Sequence, residues 1–332
     1  MMFFLLLAGF LVLLAGAEFL VRGAVGVAAQ LNVSKLVVGL TAVAFGTSAP
    51  ELVVGITATL DDAPAIVIGN VVGSNVCNIL LVLGLTAAVR PIVCTTPWLI
   101  RDGASVVGAT VLTIGLAWLG PFGWLDGLLL VTLLTAFLYY CYRTERRAPP
   151  EQTHASEVDE VEHVPKTLGR SALILVTGIV GVVAGSELLV DGAVDIARHF
   201  GISESVIGLT LIAFGTSLPE LATSMVAAFR GHNEIAAGNI LGSNLFNILA
   251  VLGISSLIAP IPVPEGMLSF DFWVMLGAVL VLVPYMITGA PIRRGVGALF
   301  FAAYIGFVVA QFLGISAMPN AMAALPAVIG IR

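Results

Sequence analysis

Two glutamates sit where an ionised side chain is least tolerable. Glu51 closes the stretch AFGTSAPE (44–51) and Glu220 closes AFGTSLPE (213–220), both inside long apolar runs. A carboxylate in hydrocarbon costs about 2.5–3.5 kcal/mol on insertion scales, and no Lys or Arg occurs within 36–60 or 204–229 to offset it. Each glutamate follows a proline. Pro50 and Pro219 lack an amide hydrogen and clash with the carbonyls of Gly46 and Gly215, four residues back. The residues before them, Ala49 and Leu218, are pushed away from helical geometry. Each motif therefore predicts a span broken into two half-helices, with carbonyls freed near Ala44 to Ser48 and near Ala213 to Ser217. The glutamate falls in the first turn of the second half, where the helix dipole favours it. Thr47 lies four residues before Glu51, and Thr216 four before Glu220, so hydroxyl and carboxylate share a face. In lipid these groups must be satisfied internally. The expected counter-charge is a cation or a proton.

A second motif repeats nearby. GNVVGSNVCNILLVLG (69–84) and GNILGSNLFNILAVLG (238–253) each present amides and a hydroxyl every four residues: Asn70, Ser74 and Asn78, then Asn239, Ser243 and Asn247. Ser74, Asn78, Ser243 and Asn247 are candidate ligands on that stripe, while Asn75 and Asn244 lie off it and suit bridges between helices. The glycines of both copies permit close helix approach. All expected donors are oxygens, which suit hard cations; neither motif contains histidine, and Cys77, which has no counterpart in the second copy, is an apolar filler and not a zinc or copper ligand set. Two glutamates balance one Ca2+, two Na+ or two protons, and any such exchange keeps the buried charge near zero.

The elements that must hold these residues are membrane spans. Of 332 residues, 59% are hydrophobic and 10% charged, against about 25% charged in soluble domains. Ten apolar segments, each near the about 20 residues a span needs, are expected at 2–21, 35–60, 64–88, 97–118, 122–141, 170–190, 204–229, 234–258, 268–288 and 294–313. The first is read as a spanning helix, since no basic n-region precedes it. With the N-terminus outside, twelve Lys and Arg face inward and two, Arg198 and Arg332, face outward, a strong positive-inside bias. Both termini are then outside and the 142–169 loop is cytoplasmic, in a cell inner membrane. That loop, charged and proline-bearing, reads as a solvated linker, and 314–332 as a tail without assigned role. Cys77, Cys94 and Cys141 have no metal-binding spacing. No basic patch or motif for nucleic acid is present, and no nucleophile–base pair or cofactor motif points to an enzyme. The partners implied are inorganic cations and the lipid bilayer, with no resident cofactor.

Sliding the sequence by 169 residues superimposes both motifs without a gap, and also pairs Gly16 and Glu18 with Gly185 and Glu187, Pro91 with Pro260, and Asp102 with Asp271. Glu18 and Glu187 suit a structural or gate-lining role, and the two aspartates suit helix starts. The halves, 1–141 and 170–313, carry five spans each, and an odd number forces opposite orientation. The fold expected is all-α: ten transmembrane helices in two inverted five-helix repeats, broken at the midplane. Such inverted repeats characterise alternating-access transporters. A passive cation channel and a membrane scaffold are the competing classes.

The paired G-T-S-x-P-E and G-N-x-x-G-S-N-x-x-N elements resemble the two alpha repeats of the sodium/calcium exchanger (cation/calcium antiporter) superfamily, in its compact prokaryotic form. The resemblance implies exchange of Ca2+ for Na+, or for H+, with ion contacts from Thr47, Ser48, Glu51, Ser74 and Asn78, and from Thr216, Ser217, Glu220, Ser243 and Asn247. It also implies backbone carbonyl contributions from Ala44 and Ala213. Sodium-coupled members often carry aspartate where this chain has Asn247, so the site has one negative charge fewer. Reporter fusions at Arg147 and at the C-terminus are expected to report opposite sides of the membrane from each other, Arg147 inside.

Overall fold

The computed structural model describes residues 2–31, 33–92, 97–145, 167–199, 213–264 and 266–312. The segment 201–212, most of the linker, and the tail beyond 313 lie outside these. Twelve helical pieces follow in order: α1 Met2–Leu31, α2 Lys35–Thr47, α3 Ala49–Leu60, α4 Ala65–Val89, α5 Pro97–Leu119, α6 Trp124–Glu145, α7 Leu168–His199, α8 Ala213–Thr216, α9 Leu218–Phe229, α10 Asn233–Ile258, α11 Met267–Thr288 and α12 Arg294–Phe312. Eight are long and apolar enough to cross a membrane alone, and α2 with α3 forms a ninth span bent by 43°. The seventh expected span, 204–229, is described only in its second part, α8 and α9. The protein is a multi-pass, all-α membrane protein.

Helices α1 and α7 run well past their expected apolar segments of 2–21 and 170–190. A helix of 30 residues is about 45 Å long, longer than the about 30 Å hydrocarbon core. Packing explains the excess. Gly9, Gly16 and Gly23 on α1 alternate with Gly178, Gly185 and Gly192 on α7, each seven residues apart. A Cβ on Gly16 would sit 2.5 Å from Gly181, on Gly23 2.3 Å from Leu175, on Gly178 2.2 Å from Leu20, and on Gly185 2.4 Å from Leu13. Partners move down α7 as they move up α1, so the helices are antiparallel. The pairs Gly9–Leu189 and Gly178–Leu20 exchange under the 169-residue offset, as a two-fold axis requires. The seam runs along α1 from Leu5 and Leu6, against Gly192, to Gly23, beyond the end of the expected segment.

The same symmetry recurs elsewhere. The chain pairs at Ile92 with Ile292 and at Phe122 with Ile261 in short antiparallel bridges, with N···O distances of 2.8–3.2 Å; Ile92 and Ile261 are equivalent positions. At the centre, every residue of α10 from Ile235 to Gly253 is buried. The outward faces of α6 and α12 instead expose large apolar side chains such as Trp124, Leu125 and Leu299, the distribution expected where lipid is the solvent. The polar residues are inside: Glu51, Glu220, Asn75, Asn78, Asn244 and Asn247 are all buried.

Because Gly185 meets backbone, which cannot move aside, Gly185→Ala is expected to destabilise the protein by roughly 1–3 kcal/mol, the usual cost of overpacking. Gly108→Ala, with open space around it, is expected to leave it unchanged. Unfolding in detergent with a tryptophan or thermal-shift readout checks the contrast.

Candidate functional site

Each break is confined to one residue. Ser48 has φ −85° and ψ 7°, and Ser217 φ −90° and ψ 2°, while the prolines that follow sit in the first turn of α3 and of α9, where their missing amide costs nothing. The sequence places the deviation at Ala49 and Leu218; the structure moves it one residue earlier, because both of these already belong to the next helix. Glu51 and Glu220 fall in the first turns, as expected. The Ala44 carbonyl is not freed. It accepts the Ser48 amide at 2.9 Å and the Thr47 hydroxyl at 3.3 Å. In the second motif the Ser217 amide turns instead to Phe214 O at 3.1 Å, so the chain there is wound tighter and Ala213 loses that donor.

Residues from the two motif copies meet. Ser48 Oγ donates to Glu220 Oε1 at 3.0 Å, and Ser243 Oγ to the same oxygen at 3.3 Å. Thr47 Oγ1 donates to Asn239 Oδ1 at 3.0 Å and lies 3.4 Å from Ser243 Oγ. Asn239 spends its amide protons on Ser224 Oγ at 3.0 Å and Glu220 O at 3.4 Å. Its equivalent, Asn70, bonds Glu51 O at 3.3 Å. Across the axis, Asn78 Nδ2 donates to Asn244 Oδ1 at 3.2 Å and Asn247 Nδ2 to Asn75 Oδ1 at 3.1 Å, a symmetric exchange. π-Helical turns at Cys77–Leu83 and Asn247–Leu252 carry Asn78 and Asn247 into this contact.

What remains is a set of buried oxygens without donors. Both carboxylate oxygens of Glu51, Oε2 of Glu220, Oγ of Ser217, and Oδ1 of Asn78 and of Asn247 are buried and make no hydrogen bond. Asn78 and Asn247 each donate an amide hydrogen across the axis and keep Oδ1 free as an acceptor, while the buried Nδ2 of Asn244 is a donor without a partner. Thr216 approaches Glu51, and Thr47 approaches Glu220. The two carboxylates are near enough to repel each other. Among the described residues neither forms an ion pair, and no group of three or more His, Cys, Asp and Glu side chains gathers. Two carboxylates plus neutral oxygens can neutralise and coordinate a hard cation, which protein dipoles alone leave undone.

Of the twelve expected residues, Thr47, Ser48, Glu220 and Ser243 are bonded together, while Glu51, Ser217, Asn78 and Asn247 supply unpartnered oxygens. Ser74 is buried but joins none of these bonds. Asn75 and Asn244 bridge the helices. Ser224 belongs to the network without appearing in the repeat, because its equivalent position is Gly55. Asp271, the fifth residue of α11, binds Gln311, and Asp102, in the second turn of α5, pairs with Arg101 at 2.6 Å; neither caps a helix start.

Residues 1–143 and 170–313 match the protein family described as sodium/calcium exchanger protein. The chain belongs to that family. It is 32% identical to the sodium/calcium exchanger MaX1 of Methanosarcina acetivorans, covering 93% of this chain and 98% of that one. It is 34% identical to the inner membrane protein YrbG of Escherichia coli, over 91% of this chain and 94% of that one. A solved structure of the sodium-calcium exchanger NCX_Mj superimposes with a TM-score of 0.81 at 33% identity, covering 93% and 98% of the two chains. This family member is a secondary-active cation antiporter, not an enzyme.

Asn239→Ala strips three hydrogen bonds, with Thr47, Ser224 and the Glu220 carbonyl, so a loss of about 1–3 kcal/mol of stability is expected. Ser217→Ala removes a hydroxyl that bonds nothing and is expected to cost none. Parallel denaturation curves of the two variants in one detergent test the difference.

Proposed function

We propose that this protein exchanges Ca2+ for Na+ by alternating access, through ten spans in two inverted five-helix repeats, 1–141 and 170–313. The span 204–229 is then the seventh, and both termini lie outside with the 142–169 linker in the cytoplasm. One observation carries the reading: six buried oxygens of Glu51, Glu220, Ser217, Asn78 and Asn247 have no donor, and two of their owners are acids with no basic partner. Burying unpaired carboxylates is tolerable only if a cation or proton neutralises them.

In this reading Glu51 and Glu220 supply the charge, and Thr47, Ser48, Thr216, Ser217, Ser74, Ser243, Asn78 and Asn247 complete a flexible oxygen shell of the kind Ca2+ accepts. Carbonyls of Ala44 and Ala213 enter it only where the break releases them. Two Na+ replace one Ca2+ at unchanged charge, so crossing with the site empty is the unfavourable step and the fluxes are coupled. Coupling to H+ is the second reading, favoured by the neutral Asn78 and Asn247, which leave only two carboxylates to share among the ions.

In proteoliposomes, 45Ca uptake is expected to require a counter-gradient, with a sodium gradient more effective than a pH gradient. Glu51→Gln and Glu220→Gln are each expected to abolish it, and Asn247→Asp to retain some flux with altered sodium dependence. Uptake down the calcium gradient without trans sodium or protons would mark a channel. Full flux in Glu51→Gln would sink the ligand assignment.

A further inference from the structure

The two-fold symmetry fails at the ends of the bundle. At one end, Glu18 of α1 accepts from Arg22 Nε at 2.5 Å and from Arg230, at the close of α9, through Nε at 3.0 Å and Nη2 at 2.6 Å. Arg90, after α4, donates through Nη1 to the carbonyl of Phe229, holding the last turn of the same helix. α1 packs along α9. The 169-residue offset maps Glu18 to Glu187, Arg22 to Asp191, Arg230 to Asp61 and Arg90 to Ala259. The opposite end therefore has three acids where this one has an acid and two guanidinium groups. Glu187, Asp191 and Asp61 are all exposed, and α7 makes no comparable packing along α3.

The interior shows the same inequality. A Cβ on Gly238 would lie 2.5 Å from Leu36 O and one on Gly242 2.4 Å from Leu40 O, so α10 is pressed onto α2 near the arginine end. Glu220 correspondingly receives two hydroxyl donors and Glu51 none.

We propose that Glu18 and Arg230 are positioning residues for ion exchange: they latch α1 to α9 and hold the arginine-bearing face of the site closed, while Asp61 denies the opposite face an equivalent latch. The proposal rests on the alternating-access reading above. A bidentate Arg–carboxylate pair is the strongest surface ion pair available, and it forms in one access state but not in the other. It therefore shifts the equilibrium between the two by its full worth. On the acidic face, closure brings Glu187 toward Asp61, and their like charges oppose it. The two access states are unequal before any ion binds.

The test is 45Ca exchange in oriented vesicles with calcium titrated on one face at a time. Glu18→Gln and Arg230→Gln are expected to raise apparent affinity about two- to five-fold at the arginine-bearing face and lower it at the other, the range for exposed ion-pair networks. Asp61→Arg supplies the missing guanidinium and is expected to shift affinities in the same sense, while Arg230→Lys retains most wild-type behaviour. Equal losses at both faces, or unchanged affinities, would overturn the latch while wild-type exchange stands. Wild-type protein without counter-ion-dependent flux would overturn the exchange reading itself, and the latch's role with it. Should Glu18→Gln fail to fold, the comparison of Arg230→Lys with Arg230→Gln, together with Asp61→Arg, decides alone.

Discussion

Two carboxylates buried in the middle of a membrane protein, with no basic side chain bonded to either, constrain everything else in this molecule. Hydrocarbon offers them no water, and every nearby donor must come from the chain. Glu220 finds hydroxyls on Ser48 and Ser243. Glu51 finds none that complete a bond. The amides of Asn75, Asn78 and Asn247 donate instead across the axis, to Asn244 and to Asn75, while the Asn244 amide nitrogen makes no bond. That network rigidifies the centre and still leaves buried polar atoms unmatched, an arrangement an ordinary core would not keep.

Holding such a centre requires rigid surroundings with close backbones. α10 is buried along its middle nineteen positions, Ile235 to Gly253, and reaches α2 through glycines that leave no room for a methyl group. The α1–α7 pair is different. Its glycine seam joins the helices to one another along α1 from Leu5 to Gly23, so they behave as a unit set against the rest. Its attachment is unequal, with α1 along α9 at the arginine end and α7 without an equivalent along α3. That unequal attachment, on an otherwise closely packed core, is what the proposed latch rests on.

Much of the site was legible because its residues contradict their surroundings. A Pro-Glu pair in apolar sequence has few physical explanations, and its recurrence at a fixed offset removes chance. The asparagine stripes were visible for the same reason. Ser224 was not, since its equivalent is Gly55 and the repeat carries no trace of it. The engagement of the Ala44 carbonyl was also hidden: the break needs only one residue, Ser48, and the carbonyl four positions back stays within reach of its amide. The helix ends were misjudged at α1 and α7 because Glu18, Arg22 and Glu187 look like the end of a span, whereas the glycine seam continues beyond them.

By itself, the sequence determined that the chain crosses a membrane many times, that its halves are related, and that two acids in the interior need a positive partner. These follow from composition, period and charge, which are properties of residues in order. Only the tertiary structure decided which donors each acid receives and which oxygens are left over. The halves share their motifs yet differ in the donors their acids receive and in the charges at their ends. Near-equal sequences cannot announce which donor meets which acid, because that depends on how the two copies pack across the axis.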